Sequence, residues 1–307
     1  MIRIKDFAIN AVLVLLGGIS RFAGFRLRSA VGKLAGKTLI MLSPKRKIIT
    51  KNNIEKAFPD KDPVQIREIL IESYENLGIT LMEQLAIPTM DEKQIKMYIK
   101  YENLELLTNI YKRGKGMILM SGHYGNWELL ALSAGLFTGI PVNIIVKRQK
   151  NPFADKLVNN IRTKFNNKVI QMRNAARKMI EIMNKGEALA LLADQSAHKD
   201  KDIYVEFFGR PVSVFEAPSR LALRYRVPIV IGFAERQENG TYYVRLKELD
   251  CADLEYNDES VRELSRMHVN LLEEQIRKKP GQWAWQHRRW KHTDYFYEHY
   301  TKKNAVN

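Results

Sequence analysis

The stretch Gly116-Met117-Ile118-Leu119-Met120-Ser121-Gly122-His123-Tyr124-Gly125-Asn126-Trp127-Glu128 places a histidine and a glutamate five positions apart, where an apolar strand gives way to a helix. Met117 to Met120 form a short apolar run bounded by glycines, the pattern of a buried strand. Trp127, Leu129, Leu130, Leu132 and Leu136 then recur at helical spacing. His123 therefore stands just past the C-terminal end of a strand. In open α/β sheets ligands bind in the crevice outside such ends, and the N-terminus of the following helix favours negative charge. Gly122 and Gly125 let backbone approach a ligand closely. Two side chains five positions apart on one helix diverge by roughly 140°, so a turn is needed to bring them together. With His123 in the turn and Glu128 in the first helical turn, the expectation is that the carboxylate accepts a proton from one ring nitrogen. The other nitrogen is left as a base for a substrate hydroxyl.

Beyond the motif the chain alternates strand and helix. Strands are predicted at 142–146, 169–172, 188–192, 229–234 and 242–246, and helices at 127–136, 152–165, 175–184 and 217–225. That rhythm predicts an α/β fold with a mostly parallel central sheet flanked by helices. Residues 46–307 are expected to form this domain including a helical N-terminal part, and residues 1–45 a helical, membrane-associated extension. Phe7 to Ser20 contains no charged residue and is bracketed by Arg3 and Lys5 before it and by Arg21, Arg26 and Arg28 after it. A span needs about 20 apolar residues, so a surface or partly inserted helix is expected. A buried helix and a secretory signal peptide are the rival readings, and no clear small-residue cleavage site follows.

The net charge of +16 implies an anionic partner: nucleic acid, an acidic protein or an anionic lipid surface. Zinc-finger spacing, an aromatic RNA-binding signature and an isolated basic helix are all missing, so nucleic acid is the weakest of the three. The single cysteine, Cys251, excludes an internal disulfide and has no carrier motif around it. The histidines lack a common metal spacing, so no metal is expected.

Arg148 and Asp194 each follow a strand-like run and so are expected at the same edge of the sheet as His123. An acid in that position more often orients a base than meets a ligand. Glu83, in the apolar setting Leu81-Met-Glu-Gln-Leu-Ala86, is expected on a helix face. The cluster Trp283-Ala-Trp285 with Arg288-Arg-Trp290-Lys291 reads either as core plus rim or as a segment at the headgroup level of a bilayer.

Ser121-Gly-His-Tyr-Gly-Asn-Trp-Glu128, an HX4E motif, resembles the catalytic block of the bacterial lipid A acyltransferases of the HtrB/LpxL and LpxM type. These belong to the wider lysophospholipid acyltransferase superfamily, whose glycerolipid members usually carry aspartate at the second position. The likeness continues through Asn53-Ile-Glu-Lys-Ala-Phe-Pro59, Asn151-Pro-Phe-Ala-Asp-Lys-Leu157, Ala193-Asp-Gln195, Phe207-Phe-Gly-Arg-Pro211, Pro218-Ser-Arg-Leu-Ala222 and Gln282-Trp-Ala-Trp-Gln-His-Arg-Arg-Trp-Lys291. It departs at Lys147-Arg-Gln149, where the family more often reads Tyr-Arg-Pro.

The resemblance implies an O-acyltransferase moving a fatty acyl chain from an acyl carrier protein thioester to a hydroxyl of a lipid A precursor at the cytoplasmic face of the inner membrane. No cofactor is implied; acyl carrier protein is the co-substrate, and oligomeric state stays open. His123 and Glu128 are the expected catalytic pair. Gly122, Asn126, Arg148, Arg162, Arg177 and Asp194 are the expected substrate or oxyanion contacts, Arg162 and Arg177 because they match basic positions of the family. Two alternatives remain. One is an acyltransferase of the same fold acting on a lysophospholipid, phosphoglycolipid or aminolipid; the other is a non-enzymatic basic protein of membrane surfaces or polyanions.

Overall fold

In the computed structural model, residues 4–249, 251 and 253–299 are described; Arg3 lies outside them. Four helices come first: α1 (Ile4–Phe22), α2 (Phe25–Leu42), α3 (Pro44–Ala57) and α4 (Pro63–Ala86). Proline opens both α3 and α4, and Asp62 with Gln65 forms a reciprocal capping box at the start of α4. Side-chain-free positions let α2 lie against α4: a Cβ on Gly78 would stand 2.1 Å from the Gly32 carbonyl, and one on Gly36 would stand 2.2 Å from that of Tyr74. Among the described residues no helix is long and apolar enough to cross a membrane.

The rest is α/β, as α5 (Glu92–Tyr98), β1 (Ile99–Tyr101), α6 (Glu105–Tyr111), β2 (Met117–Ser121), α7 (Trp127–Thr138), β3 (Val142–Val146), α8 (Pro152–Arg162), β4 (Lys168–Gln171), α9 (Ala175–Asn184) and β5 (Ala188–Leu192). There follow β6 (Ile203–Phe207), β7 (Arg210–Val214), α10 (Ala217–Tyr225), β8 (Ile229–Gly232), β9 (Glu235–Arg236), β10 (Tyr242–Val244), β11 (Leu246–Leu249), α11 (Asp258–Lys278) and α12 (Thr293–His299).

The central sheet runs β11-β8-β2-β5-β3-β4. Its β8, β2, β5, β3 and β4 pair in parallel, while β11 lies antiparallel to β8. A small sheet β1-β10-β9 and the hairpin β6-β7 complete the set. Taken together the sheets are mixed, which corrects the expectation of a mostly parallel architecture, although four of the five pairings in the central sheet are parallel. No helix intervenes between β8 and β11, so the chain lacks the crossover that parallel pairing requires and returns antiparallel. The hairpin went unpredicted. Its turn is Phe208-Gly209, both with positive φ (50° and 68°), the backbone that a two-residue hairpin loop demands.

Apolar residues of β2, β3, β5 and β8 pack on both faces of the sheet, against α7 on one side and against α9, α10 and α11 on the other. The segment following α11 forms a further core with α3, α4 and the β6-β7 hairpin. In that core Trp283, Trp285 and Trp290 are buried, with Trp283 and Trp285 rings 4.6 Å apart. The bilayer reading of the tryptophan cluster is thus set aside; Arg288 and Lys291 alone of its cations face solvent, whereas Arg289 is buried.

Candidate active site

The turn between β2 and α7 is clamped on three sides. Gly125 adopts φ +55°, and a Cβ there would fall 1.8 Å from the Ala234 carbonyl oxygen, so only glycine fits. Its N–H donates to the Gln282 carbonyl (2.9 Å), the Thr80 hydroxyl donates to its carbonyl (2.9 Å), and the Ala284 N–H donates to the carbonyl of His123 (2.9 Å). Ala234 just before β9, Thr80 on α4 and the stretch after α11 together fix the backbone that carries His123.

The partner of the imidazole is Asp194, delivered by the end of β5, the strand next to β2. His123 Nδ1 lies 2.7 Å from Asp194 Oδ1, and the His123 backbone N–H donates to Asp194 Oδ2, also at 2.7 Å. Trp283 Nε1–H donates to that second oxygen at 2.9 Å. The Asp194 side chain is 4% exposed. Burial alone would raise its pKa, but His123 and these hydrogen bonds outweigh burial and hold the carboxyl well below its usual range. For His123 burial works to lower the pKa; the charge of Asp194, its hydrogen bond and then the charge of Glu128 win, and the net shift is upward. With Nδ1–H assigned as donor to Asp194, Nε2 is left as the acceptor. Trp127 meets the imidazole edge-on, with ring centroids 5.0 Å apart.

Glu128 does not hold the ring, a correction to the expected pairing. It lies in the first turn of α7, and its carboxylate receives a bidentate pair of hydrogen bonds from Arg162 at the end of α8, Nε donating to Oε2 at 2.7 Å and Nη2 to Oε1. Both side chains are largely buried, 6% and 13% exposed. The helix turns Glu128 toward α8 while the turn aims His123 at β5, so the two interact through charge rather than through a shared proton.

Two cavities flank this arrangement and share Trp127. One is an apolar slot between α7 and the central sheet, with Leu119, Leu130, Ile144 and Val230 among its walls and Glu128 and Arg162 beside Trp127. Its cavity volume is about 90 Å³. The other is an open cleft lined by His123, Asp194, Arg46, Gln195, Gln286 and His287 among others. Burial, with nearby Arg289 and His123, pushes His287 down to about 4, so it stands neutral beside His123.

Under the turn lies a buried polar network that spacing did not reveal. Glu83, expected on a helix face, is 4% exposed and accepts hydrogen bonds from Asn126 Nδ2 (2.8 Å), the Tyr242 hydroxyl (2.6 Å) and Arg236. Arg236 also donates to Thr80 Oγ1 (3.1 Å) and Asn76 Oδ1 (3.3 Å). Asn126 is wholly buried, and its Oδ1 caps α7 by accepting from Leu129 N–H at 3.0 Å. Its expected substrate contact is therefore corrected: both ends of the amide are committed inside the protein.

The remaining expected residues divide. Gly122 sits against Asp194, where a Cβ would meet Oδ2 at 3.2 Å and Leu272 at 2.9 Å. Arg162 belongs to the slot. Arg148, in the loop after β3, and Arg177, on α9, are exposed and line neither cavity. Trp283 was missed because an indole in a cationic stretch signals a membrane as readily as a buried donor.

The family model for bacterial lipid A biosynthesis acyltransferases matches residues 2–292. A lipid A biosynthesis lauroyltransferase of Escherichia coli is 22% identical over 269 residues, 87% of this chain and 85% of that protein. A lipid A biosynthesis acyltransferase of Haemophilus influenzae is 28% identical over 257 residues, 82% and 79% of the two chains. A palmitoleoyltransferase of lipid A biosynthesis from Escherichia coli is 20% identical over 249 residues, 80% and 79%.

Proposed function

This chain belongs to the bacterial lipid A biosynthesis acyltransferase family, and we propose that it moves a fatty acyl chain from an acyl carrier protein thioester to a hydroxyl of a lipid A precursor, with His123 as general base. The observation that carries the reading is the His123–Asp194 pair beside Trp127, which borders both the apolar slot and the open cleft. The slot suits an acyl chain; the cleft, with Arg46 on its wall, suits an anionic acceptor.

His123 Nε2 takes the proton of the acceptor hydroxyl as its oxygen attacks the thioester carbon. Asp194 keeps Nδ1 protonated and stabilises the imidazolium that forms, as the acid of a serine-protease triad does. The tetrahedral species collapses with loss of thiolate, which recovers the proton from His123, so an ester and a free thiol leave and the enzyme is unchanged. Glu128 and Arg162 neutralise each other beside the slot, and the charge of Glu128 supports the imidazolium. The basic surface attracts an acidic carrier protein. Exposed Phe7, Leu15, Phe22, Met41 and Leu42 on α1 and α2 suit contact with the cytoplasmic face of the inner membrane.

The test is mass spectrometry of products after the purified chain meets acyl carrier protein loaded with mixed chains, with a tetra-acylated lipid A precursor and a lysophospholipid as competing acceptors. Mass gain on the precursor, absent with His123→Ala, is the expected result and reports chain length. Gain on the lysophospholipid alone would reassign the acceptor.

A further inference from the structure

A third cavity opens beside the junction of α1 and α2, and its walls include Arg21, Phe22, Arg28, Thr89, Gln94 and Tyr98. Arg28 is 8% exposed. Its Nε donates to the Ala23 carbonyl at 2.8 Å and its guanidinium stands 5.4 Å above the centre of the Tyr98 ring, yet its buried Nη1 has no hydrogen-bond partner. A buried cationic donor left unmatched is costly, and a bound oxyanion would answer it. Among the described residues no carboxylate lines the cavity. Asp91, beside it in sequence, turns an oxygen to the Gln94 N–H as a helix cap, and Lys164 reaches the carbonyls of Ile87, Pro88 and Met90 at its edge, adding a further positive charge.

The surroundings indicate what carries the anion. Phe7, Val14, Leu15 and Phe22 recur at seven and eight positions along α1 and so share one face, and they are 71%, 60%, 64% and 84% exposed. Phe22 belongs both to that face and to the cavity wall. We propose that this cavity holds the phosphate of an anionic phospholipid, gripped by Arg28 and Arg21, while the lipid's acyl chains run along the exposed apolar face of α1. The site is separate from the cavities at His123 and would act as a membrane clamp whatever acceptor the enzyme uses.

The experiment is sedimentation of the full chain with phosphatidylcholine vesicles, without and with about one-fifth phosphatidylglycerol. Arg21→Gln and Arg28→Gln are each expected to weaken binding to the anionic vesicles about fivefold, as for one basic residue near a charged surface. Arg28→Lys should lose less, and binding to pure phosphatidylcholine should not change. Arg266→Gln on α11 removes the same charge elsewhere and should change nothing comparable. Arg21 is exposed and its variant cannot collapse a core, so it decides the matter if Arg28→Gln unfolds. Equal losses in Arg266→Gln, or none in Arg21→Gln, would overturn the site. Millimolar inorganic phosphate raising the melting temperature through Arg28, with vesicle binding unchanged by the variants, would make it a free-anion site and overturn the lipid assignment.

Discussion

Asp194 binds His123 twice, through the ring Nδ1 and through the backbone N–H, each at 2.7 Å. One carboxylate thereby sets the tautomer of the imidazole and the position of the turn that carries it, and Trp283 locks that carboxylate from behind. Because β2 and β5 are neighbouring parallel strands, both residues emerge at the same edge.

Replacing Asp194 by asparagine keeps the shape but turns an amide toward Nδ1 and favours the wrong tautomer. The expected result in steady-state kinetics is a fall in kcat of about ten-thousandfold with KM little changed, the scale seen for the equivalent change in a serine-protease triad.

Glu128 and Arg162 are expected to be coupled in stability. Removing either partner alone leaves a buried charge unmatched, a loss of about 3–5 kcal/mol, whereas the double variant Glu128→Gln/Arg162→Met should lose much less than the sum. Urea unfolding of the four proteins measures the coupling; additive losses would mean that the pair is not the partnership the structure shows.

Asn126→Ala removes the cap of α7 and one donor to buried Glu83. A destabilisation of about 1–3 kcal/mol is expected by urea unfolding. Its effect on catalysis should follow from a loosened turn, so Asn126→Ser, which retains a capping oxygen, should recover part of both losses.

Stability should decline in mild acid. His268 is pushed down to about 3 by burial and then by Arg289, and His287 is held near 4, so both are neutral in the fold and protonate when unfolded. The stability they sustain is intact above the unfolded value of 6.5 and is lost as pH falls from there toward 4. His123 opposes this: its raised pKa contributes fully below 6.5 and is lost as pH rises through the folded value. His268→Gln should make the acid slope shallower by up to about 1.4 kcal/mol per pH unit. An unchanged slope in urea melts between pH 4 and 6.5 would contradict this account.

Much of this was legible in the chain. Apolar runs ending in Met120 and Leu192 marked the strands, and the glycines around His123 marked the turn, so His123 and Asp194 were both expected at the sheet edge. What spacing could not carry is direction. Glu128 is near His123 along the chain yet points to Arg162, while Asp194, seventy-one residues away, makes the contact. Strand adjacency decides that, and one sequence does not display it. The same holds for Glu83, whose apolar setting on α4 gave no hint of Asn126, Arg236 and Tyr242 converging on it from three other segments. The tryptophan cluster stayed open between two readings because indoles beside arginines suit a bilayer surface and a buried core equally.

The most direct test of the central claim is the pH dependence of kcat/KM for the wild type, Asp194→Asn and Glu128→Gln. A base must be neutral to act, so the wild-type rate should rise with pH through the raised pKa of His123, above 6.5. Asp194→Asn should move that limb to lower pH, and Glu128→Gln should move it less, since its charge is the weaker of the two supports. A limb that shifts more in Glu128→Gln than in Asp194→Asn would contradict the assignment and return the orienting role to Glu128.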